Sequence, residues 1–275
     1  MAISVADITK LRKMTGAGMV DCKRALTETN GDFDKAMEEI RKKGLAVAAK
    51  RSDRETSEGC VLVKVDGNFG AIIALKCETD FVATNADFVQ LARDILDAAV
   101  ANRCQTLEEV KALPYAGKTV AEAIIERTGI VGEKMELDGY SVVEAPELQS
   151  YNHQNKNFLC VLVAFNKEVA DKDYIHEIAL QVAAQNPIAV CEAEVPADVV
   201  AREREIAADK ARQEGKPENM IDRIADGRMK KFYDESCLLN QKFISDDKKS
   251  VAQYLKDLDP ELTVTKFVRF TLKAE

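Results

Sequence analysis

Two apolar runs flank a turn tripeptide: Cys60-Val61-Leu62-Val63-Lys64-Val65, then Asp66-Gly67-Asn68, then Phe69-Gly70-Ala71-Ile72-Ile73-Ala74-Leu75-Lys76-Cys77. This pattern specifies a β-hairpin, because β-branched runs suit a pleated surface and glycine supplies the positive φ of a tight turn. A helix is expected next, at about 86–102, with Phe88, Leu91, Ala92 and Ile95 on one face. The plan then recurs. Phe158-Leu159-Cys160-Val161-Leu162-Val163-Ala164-Phe165 reads as a strand, and the helix after it carries Ile175, Ile178, Ala179 and Val182 at the same spacing. A strand–strand–helix unit written twice commits the chain to an α+β class, with a duplicated antiparallel strand/helix core.

The segments around this core are helical. In residues 4–50, Ser4 and Asp7 form a capping-box-like start, followed by Ile8, Leu11 and Met14 at helical spacing. Thr15-Gly16-Ala17-Gly18 breaks the helix. A second helix carries Cys22, Ala25 and Leu26 inward, and Asn30-Gly31-Asp32 leads into a third with Ala36, Met37 and Ile40. Gly44 is expected to end that helix, and residues 45–58 to form a linker. Three short helices with a Gly-Met turn resemble the ubiquitin-associated domain, which suits an accessory docking unit. Further on, Ala197–Glu214 and Glu218–Lys231 are two polar helices around Gly215-Lys216-Pro217, an inserted antiparallel hairpin. A helix at Lys248–Leu258 and a strand at Val264–Leu272 close the chain. The expected division is a three-helix domain at 1–55, a core N-subdomain at 56–139, a core C-subdomain at 140–186 and 229–275, and the helical hairpin at 187–228.

Composition narrows what such a chain can do. A net charge of −8 repels phosphate backbones, so no direct nucleic-acid partner is expected. There are two histidines, His153 and His176, and seven dispersed cysteines without a C-x-x-C pair. A metal site or a cofactor is therefore not expected, and the cysteines read as reduced thiols of a cytoplasmic protein. No P-loop or G-x-S-x-G signature occurs, which argues against an enzyme. The N-terminus lacks a signal-peptide pattern, and no apolar run approaches the ~18 residues of a membrane span.

What remains is docking, and one motif stands out. Thr79-Asp80-Phe81-Val82 falls between the second strand and the first core helix, where loops present functional groups from a rigid scaffold. The second half has Asn166-Lys167-Glu168-Val169-Ala170 at the corresponding place, so the scaffold does not itself demand an Asp-Phe pair. Local spacing leaves two alternatives: Phe81 as a core residue behind a capped helix start, or Phe81 as an exposed anchor for a partner.

Three ordered runs carry a resemblance across nearly the whole chain. They are Leu11-Arg12-Lys13-Met14-Thr15-Gly16-Ala17-Gly18-Met19-Val20-Asp21-Cys22-Lys23-Arg24-Ala25-Leu26, then Cys77-Glu78-Thr79-Asp80-Phe81-Val82-Ala83, then Gly215-Lys216-Pro217 with Gly227-Arg228-Met229-Lys230-Lys231-Phe232. Together they resemble the translation elongation factor Ts family of bacteria and organelles. The resemblance implies a guanine-nucleotide exchange factor for the GTPase elongation factor Tu. It also implies that Thr79, Asp80, Phe81 and Val82 dislodge the magnesium ion of the bound GDP. Arg12, Met19 and Val20 would contact the GTPase domain, Val20 standing where some relatives have methionine. Val131-Gly132 resembles an Ile-Gly pair by the phosphate-binding loop, and His153 a histidine at the partner surface. Residues 187–228 would offer a surface for self-association. Some relatives add a C-terminal helix; with the sequence ending at Lys273-Ala274-Glu275, no partner contact is expected beyond Leu272. The competing functions are a ubiquitin-like-modifier binder and an RNA-binding accessory module.

Overall fold

Elements form where caps and periodicity place them. The structure is a computed structural model, and residues 3–272 are described; the expectations for Met1-Ala2 and Lys273-Ala274-Glu275 lie outside them. Ser4 and Asp7 exchange the two hydrogen bonds of a capping box and open α1 (Val5–Thr15), which ends at Gly16 in the left-handed region, φ 72°. Helix α2 (Met19–Glu28) starts after Gly18. Helix α3 (Phe33–Lys50) starts at Asp32, whose carboxylate accepts the Lys35 N–H at 3.1 Å. Ile8, Leu11, Cys22, Ala25, Leu26, Ala36 and Ile40 form the core of these helices, with Met37 packed against it. Met14 departs from the expected pattern: it lies one turn past Leu11, yet it is exposed.

The first sheet follows. Strands β1 (Glu58–Asp66) and β2 (Phe69–Cys77) make the hairpin around Gly67-Asn68, with Gly67 at φ 58°. After them come α4 (Asp80–Ala83), α5 (Ala86–Ala101), α6 (Leu107–Ala112) and the small hairpin β3 (Pro114–Tyr115) with β4 (Lys118–Thr119). Helix α7 (Val120–Val131) and strand β5 (Met135–Glu144) complete this part, and the strand order is β1-β2-β5. Every residue of β2 except Lys76 is buried, as its unbroken apolar run requires of a central strand. On α5, Phe88, Leu91, Ala92 and Ile95 are buried as expected.

Gly44 does not end α3. The helix continues through it to Lys50, across residues expected to be linker. The reason is tertiary: α3 and α7 cross at Gly44 and Gly129, so close that a Cβ on Gly129 would stand 2.0 Å from the Gly44 Cα. The glycine serves a helix crossing rather than a cap.

The second sheet repeats the plan. Strand β6 (Glu147–Asn152) runs antiparallel to β7 (Leu159–Phe165), in register from Glu147 opposite Phe165 to Asn152 opposite Cys160. Helix α8 (Lys172–Gln185) follows, and after it α9 (Ala197–Gln213) and α10 (Ile221–Ser236). Short strands β8 (Lys242–Phe243) and β9 (Asp246–Ser250), helix α11 (Val251–Leu258) and strand β10 (Val264–Thr271) close the fold, in the sheet order β10-β7-β6. In each sheet the second strand of the hairpin takes the centre, and β7 is buried along its whole length. Ile175, Ile178, Ala179 and Val182 of α8 join Val251 and Leu255 of α11 in one core.

Helices α9 and α10 hold each other by a narrow stripe of Ala207, Ala211, Ile221, Ala225 and Met229. Arginines finish the job: Arg228 grips both oxygens of Glu214 at 2.8 and 2.7 Å, Arg212 reaches Glu218, and Arg204 reaches Asp222 and Asp226. Helix α10 runs on to Ser236, beyond Lys231 where it was expected to stop, because Phe232 and Tyr233 pack with Val195, Val199 and Cys237. The residues Lys248–Ser250, expected as helix, belong to β9.

The chain divides into two units: residues up to Leu62 with Ile73–Val142, and Val63–Ile72 with Val143–Phe270. No helix among the described residues is long and apolar enough to cross a membrane.

All seven cysteines are free, and all but Cys191 are buried. Burial pushes the Cys60 and Cys77 thiols up to about 12 and that of Cys237 to about 11. A maleimide added to the native protein at neutral pH is expected to label Cys191 first and to spare Cys60 and Cys77 until denaturant is added, as peptide mass spectrometry reads directly. Folded values above the ordinary thiol value mean that their stabilisation is complete below about pH 8.5 and is lost as pH rises from there towards 12.

Candidate partner-docking site

Strand β2 is buried up to Cys77, and the chain then emerges. Thr79 is extended, at φ −126° and ψ 155°, and α4 makes a single turn of four residues with none buried. Phe81 is 84% exposed, more than any other large apolar side chain among the described residues, and Asp80 beside it is exposed too. The core alternative for Phe81 is thereby set aside. Val82 is half-buried, and Asn85 caps the start of α5 by accepting the Asp87 N–H at 2.9 Å.

The turn is tied down at its N-terminal end. Thr79 makes no side-chain cap. Instead its N–H donates to Glu133 Oε2 at 3.1 Å and its hydroxyl to Glu133 Oε1 at 2.7 Å. Next to it, Glu78 accepts the Lys134 N–H at 2.6 Å and lies 2.9 Å from the Arg51 guanidinium. Burial raises the pKa of Glu78, but the Lys134 N–H and Arg51 outweigh it and hold the carboxyl below its ordinary value. The Cys77 thiol donates to the Thr79 carbonyl at 3.2 Å. Residues 77–79 and 133–134 are thus cross-linked by polar contacts between segments far apart in sequence.

Both segments meet at the C-terminal end of α7. Gly132 ends that helix in the left-handed region, φ 81°, and its N–H donates to Thr128 at 2.8 Å. Val131 is exposed. On the other side, Ile130 packs against the core of α1–α3, and Arg127 and Ile130 lie against Gly16 in the α1–α2 turn. That turn separates Arg12, exposed in the last turn of α1, from Met19 and Val20, exposed in the first turn of α2; Val20 is 82% exposed. The end of α7 therefore connects the Thr79–Val82 turn, Val131-Gly132 and the turn between Arg12 and Met19. His153 belongs to the second unit, half-buried, with Nδ1 2.9 Å from the Tyr151 hydroxyl and edge-on to Phe158.

Sequence reasoning missed Glu133, Glu78 and Arg51. The capping pattern gives a signal only for neighbours in sequence, and Thr79 and Glu133 are 54 positions apart. Two recesses of this unit, of about 300 and 400 Å3, are lined from α1, α2, α3, α5, α7 and the β3–β4 hairpin, and neither includes Asp80 or Phe81. Among the described residues no group of three or more His, Cys, Asp or Glu is arranged to hold a metal ion.

An exposed aromatic on a braced turn of an α+β fold is an arrangement suited to docking a partner. Comparison makes this specific: the family model described as Elongation factor TS matches residues 78–274. The chain is 54% identical to Elongation factor Ts of Bacteroides fragilis over 331 aligned positions, covering the whole of both chains. It is 52% identical to that of Phocaeicola vulgatus over 331 positions and 51% identical to that of Porphyromonas gingivalis over 276, again covering both chains fully. The chain belongs to the elongation factor Ts family.

Proposed function

We propose that the protein is a cytoplasmic guanine-nucleotide exchange factor for elongation factor Tu in translation elongation, acting by docking and not as an enzyme. Family membership supports the class of activity, and the 84% exposure of Phe81 on a braced turn carries the mechanism. A phenylalanine left in water gives up burial energy, which a partner pocket can recover. GDP is held in a GTPase through its phosphates and Mg2+. In the proposed mechanism Phe81 enters the partner near that ion, and the Asp80 carboxylate competes with the ion's polar contacts. The magnesium ion is displaced, and GDP departs. Because coupling is reciprocal, the factor then binds the empty GTPase more tightly than the GDP form.

Arg12, Met19 and Val20 supply a second contact, which gives affinity without touching the ion. Val131-Gly132 lies in the same unit and is assigned to the phosphate-binding loop side, and His153 to a contact of its own. We assign residues 1–55 as the docking domain, 56–139 and 140–186 with 229–275 as the two subdomains of the core, and 187–228 as a self-association surface. In that hairpin Arg204, Arg212 and Arg228 are already paired with carboxylates, which leaves the RNA-binding reading without support from them. The deciding measurement is release of a fluorescent GDP from elongation factor Tu in the presence of excess GTP. Acceleration at micromolar protein is expected; release at the unassisted rate would remove the proposal.

A further inference from the structure

We infer that Glu133 is a positioning residue for exchange: its carboxylate holds the Asp80–Phe81 turn at its working angle, and Thr79 is the held end of the wedge rather than part of its contact face. This inference rests on the exchange reading above.

The turn cannot hold itself. A single helical turn fixes several backbone angles for very few bonds and is not stable alone. Helix α4 has four residues and no buried one, so side-chain burial does not anchor it. Its internal bonds, Ala83 N–H to the Thr79 carbonyl at 3.1 Å and Thr84 N–H to the Asp80 carbonyl at 3.0 Å, shape the turn but move with it. So does the Thr84 hydroxyl on the Asp80 carbonyl at 2.9 Å. An exposed ring on such a turn would sample many directions, and only a fraction would suit a partner.

The bonds that aim the turn come from outside it. Glu133 uses both carboxylate oxygens on one residue, the backbone N–H and the hydroxyl of Thr79, which fixes rotation as well as distance. Bonds to an ionised carboxylate are the stronger sort. The neighbouring pair runs the other way, with the Glu78 side chain on the Lys134 N–H. Side chain to backbone in both directions is the logic of a capping box, here built between β2 and the chain after α7. Gly132 makes it feasible, since its left-handed φ of 81° turns the chain so that Glu133 faces back to Thr79. With its N–H and hydroxyl donated to Glu133, Thr79 has no spare donor for a partner.

If docking does not depend on the wedge and only a fraction of the docked complexes presents it correctly, the maximal stimulated rate falls with that fraction. The contacts of Arg12, Met19 and Val20 stand on α1 and α2 and are untouched. Loss of the brace should therefore lower the maximal rate and leave the half-saturating concentration alone. A general loss of fold would reduce the concentration of active protein instead, and the melting curve would show it.

The test uses the full chain with elongation factor Tu carrying fluorescent GDP, titrated to saturation, with Phe81→Ala as reference. Glu133→Ala is expected to lower the maximal rate about tenfold, equivalent to about 1.4 kcal/mol, with the half-saturating concentration unchanged. Glu133→Gln should recover most of the rate, because its amide can accept the N–H and donate to the hydroxyl oxygen. The near-isosteric Thr79→Val should lose about threefold, and the double variant Glu133→Ala/Thr79→Val should be no slower than Glu133→Ala alone. A wild-type maximal rate in Glu133→Ala, or losses that multiply in the double variant, overturns the inference. If Glu133→Ala does not fold, Thr79→Val decides, and a wild-type rate there overturns it equally. Should Phe81→Ala itself leave release unchanged, the exchange mechanism has failed; a slow Phe81→Ala beside normal brace variants removes the inference alone.

Discussion

Phe81→Ala is expected to slow stimulated GDP release by roughly ten- to a hundredfold, the equivalent of the about 1.5–3 kcal/mol that burying a phenylalanine ring supplies. The same substitution should leave the melting temperature within a degree or two of the parent, because an exposed side chain away from caps and cores contributes little to stability. The two expectations together distinguish an anchor from a core residue. A buried phenylalanine replaced by alanine costs about 3–5 kcal/mol of stability, as is expected for Phe88, fully enclosed on α5 seven positions along the chain. Asp80→Ala should also slow release, by a smaller factor, since in the proposed mechanism its carboxylate competes for polar contacts rather than burying area. Unfolding in Phe81→Ala, or an unchanged release rate, would end the wedge mechanism.

Much of this was legible in the sequence because its signals are local. The Asp66-Gly67-Asn68 turn, the unbroken apolar runs of β2 and β7, and the periodicity of α5 and α8 all describe what residues do to their neighbours. The position of Thr79-Asp80-Phe81-Val82 between a strand and a helix was equally readable. Its exposure was not, since an apolar residue at a helix start fits a core as well as an interface, and only the surrounding packing separates the two. Gly44 departs from its expected role for a related reason. A glycine after an amphipathic run ordinarily marks a helix end, and nothing in residues 33–44 announces that α7 crosses there. Arg51 lies in a stretch expected to be linker, yet it faces Glu78 across 27 positions. Glu133 has no local partner at all. Long-range polar pairs of this kind leave no periodic trace, and they are what aims the site.

Gly129→Ala is expected to be strongly destabilising, and Gly44→Ala to be nearly harmless, although both glycines sit at the same crossing. A Cβ on Gly129 would lie 2.0 Å from the Cα and 3.1 Å from the carbonyl carbon and nitrogen of Gly44, all backbone atoms that no rotamer change can clear. The helices must move apart, and overpacking of this kind costs about 1–3 kcal/mol or more. A Cβ on Gly44 also faces α7 but meets the Glu126 carbonyl oxygen and the Gly129 Cα no closer than 3.6 Å, ordinary contact. There the gain in helix propensity, up to about 1 kcal/mol, offsets whatever small crowding remains. Thermal melts should show a large drop for Gly129→Ala and little change or a small rise for Gly44→Ala; equal effects would mean that the crossing is looser than its geometry. The consequence reaches function, because α7 carries Ile130 into the core of α1–α3 at the same end from which Glu133 holds Thr79. Parting α3 from α7 would displace the proposed Arg12–Met19 contact from the proposed Phe81 wedge. A Gly129→Ala protein still folded at low temperature should therefore lose affinity for elongation factor Tu as well as maximal exchange rate, whereas loss of the Glu133 brace lowers the rate alone.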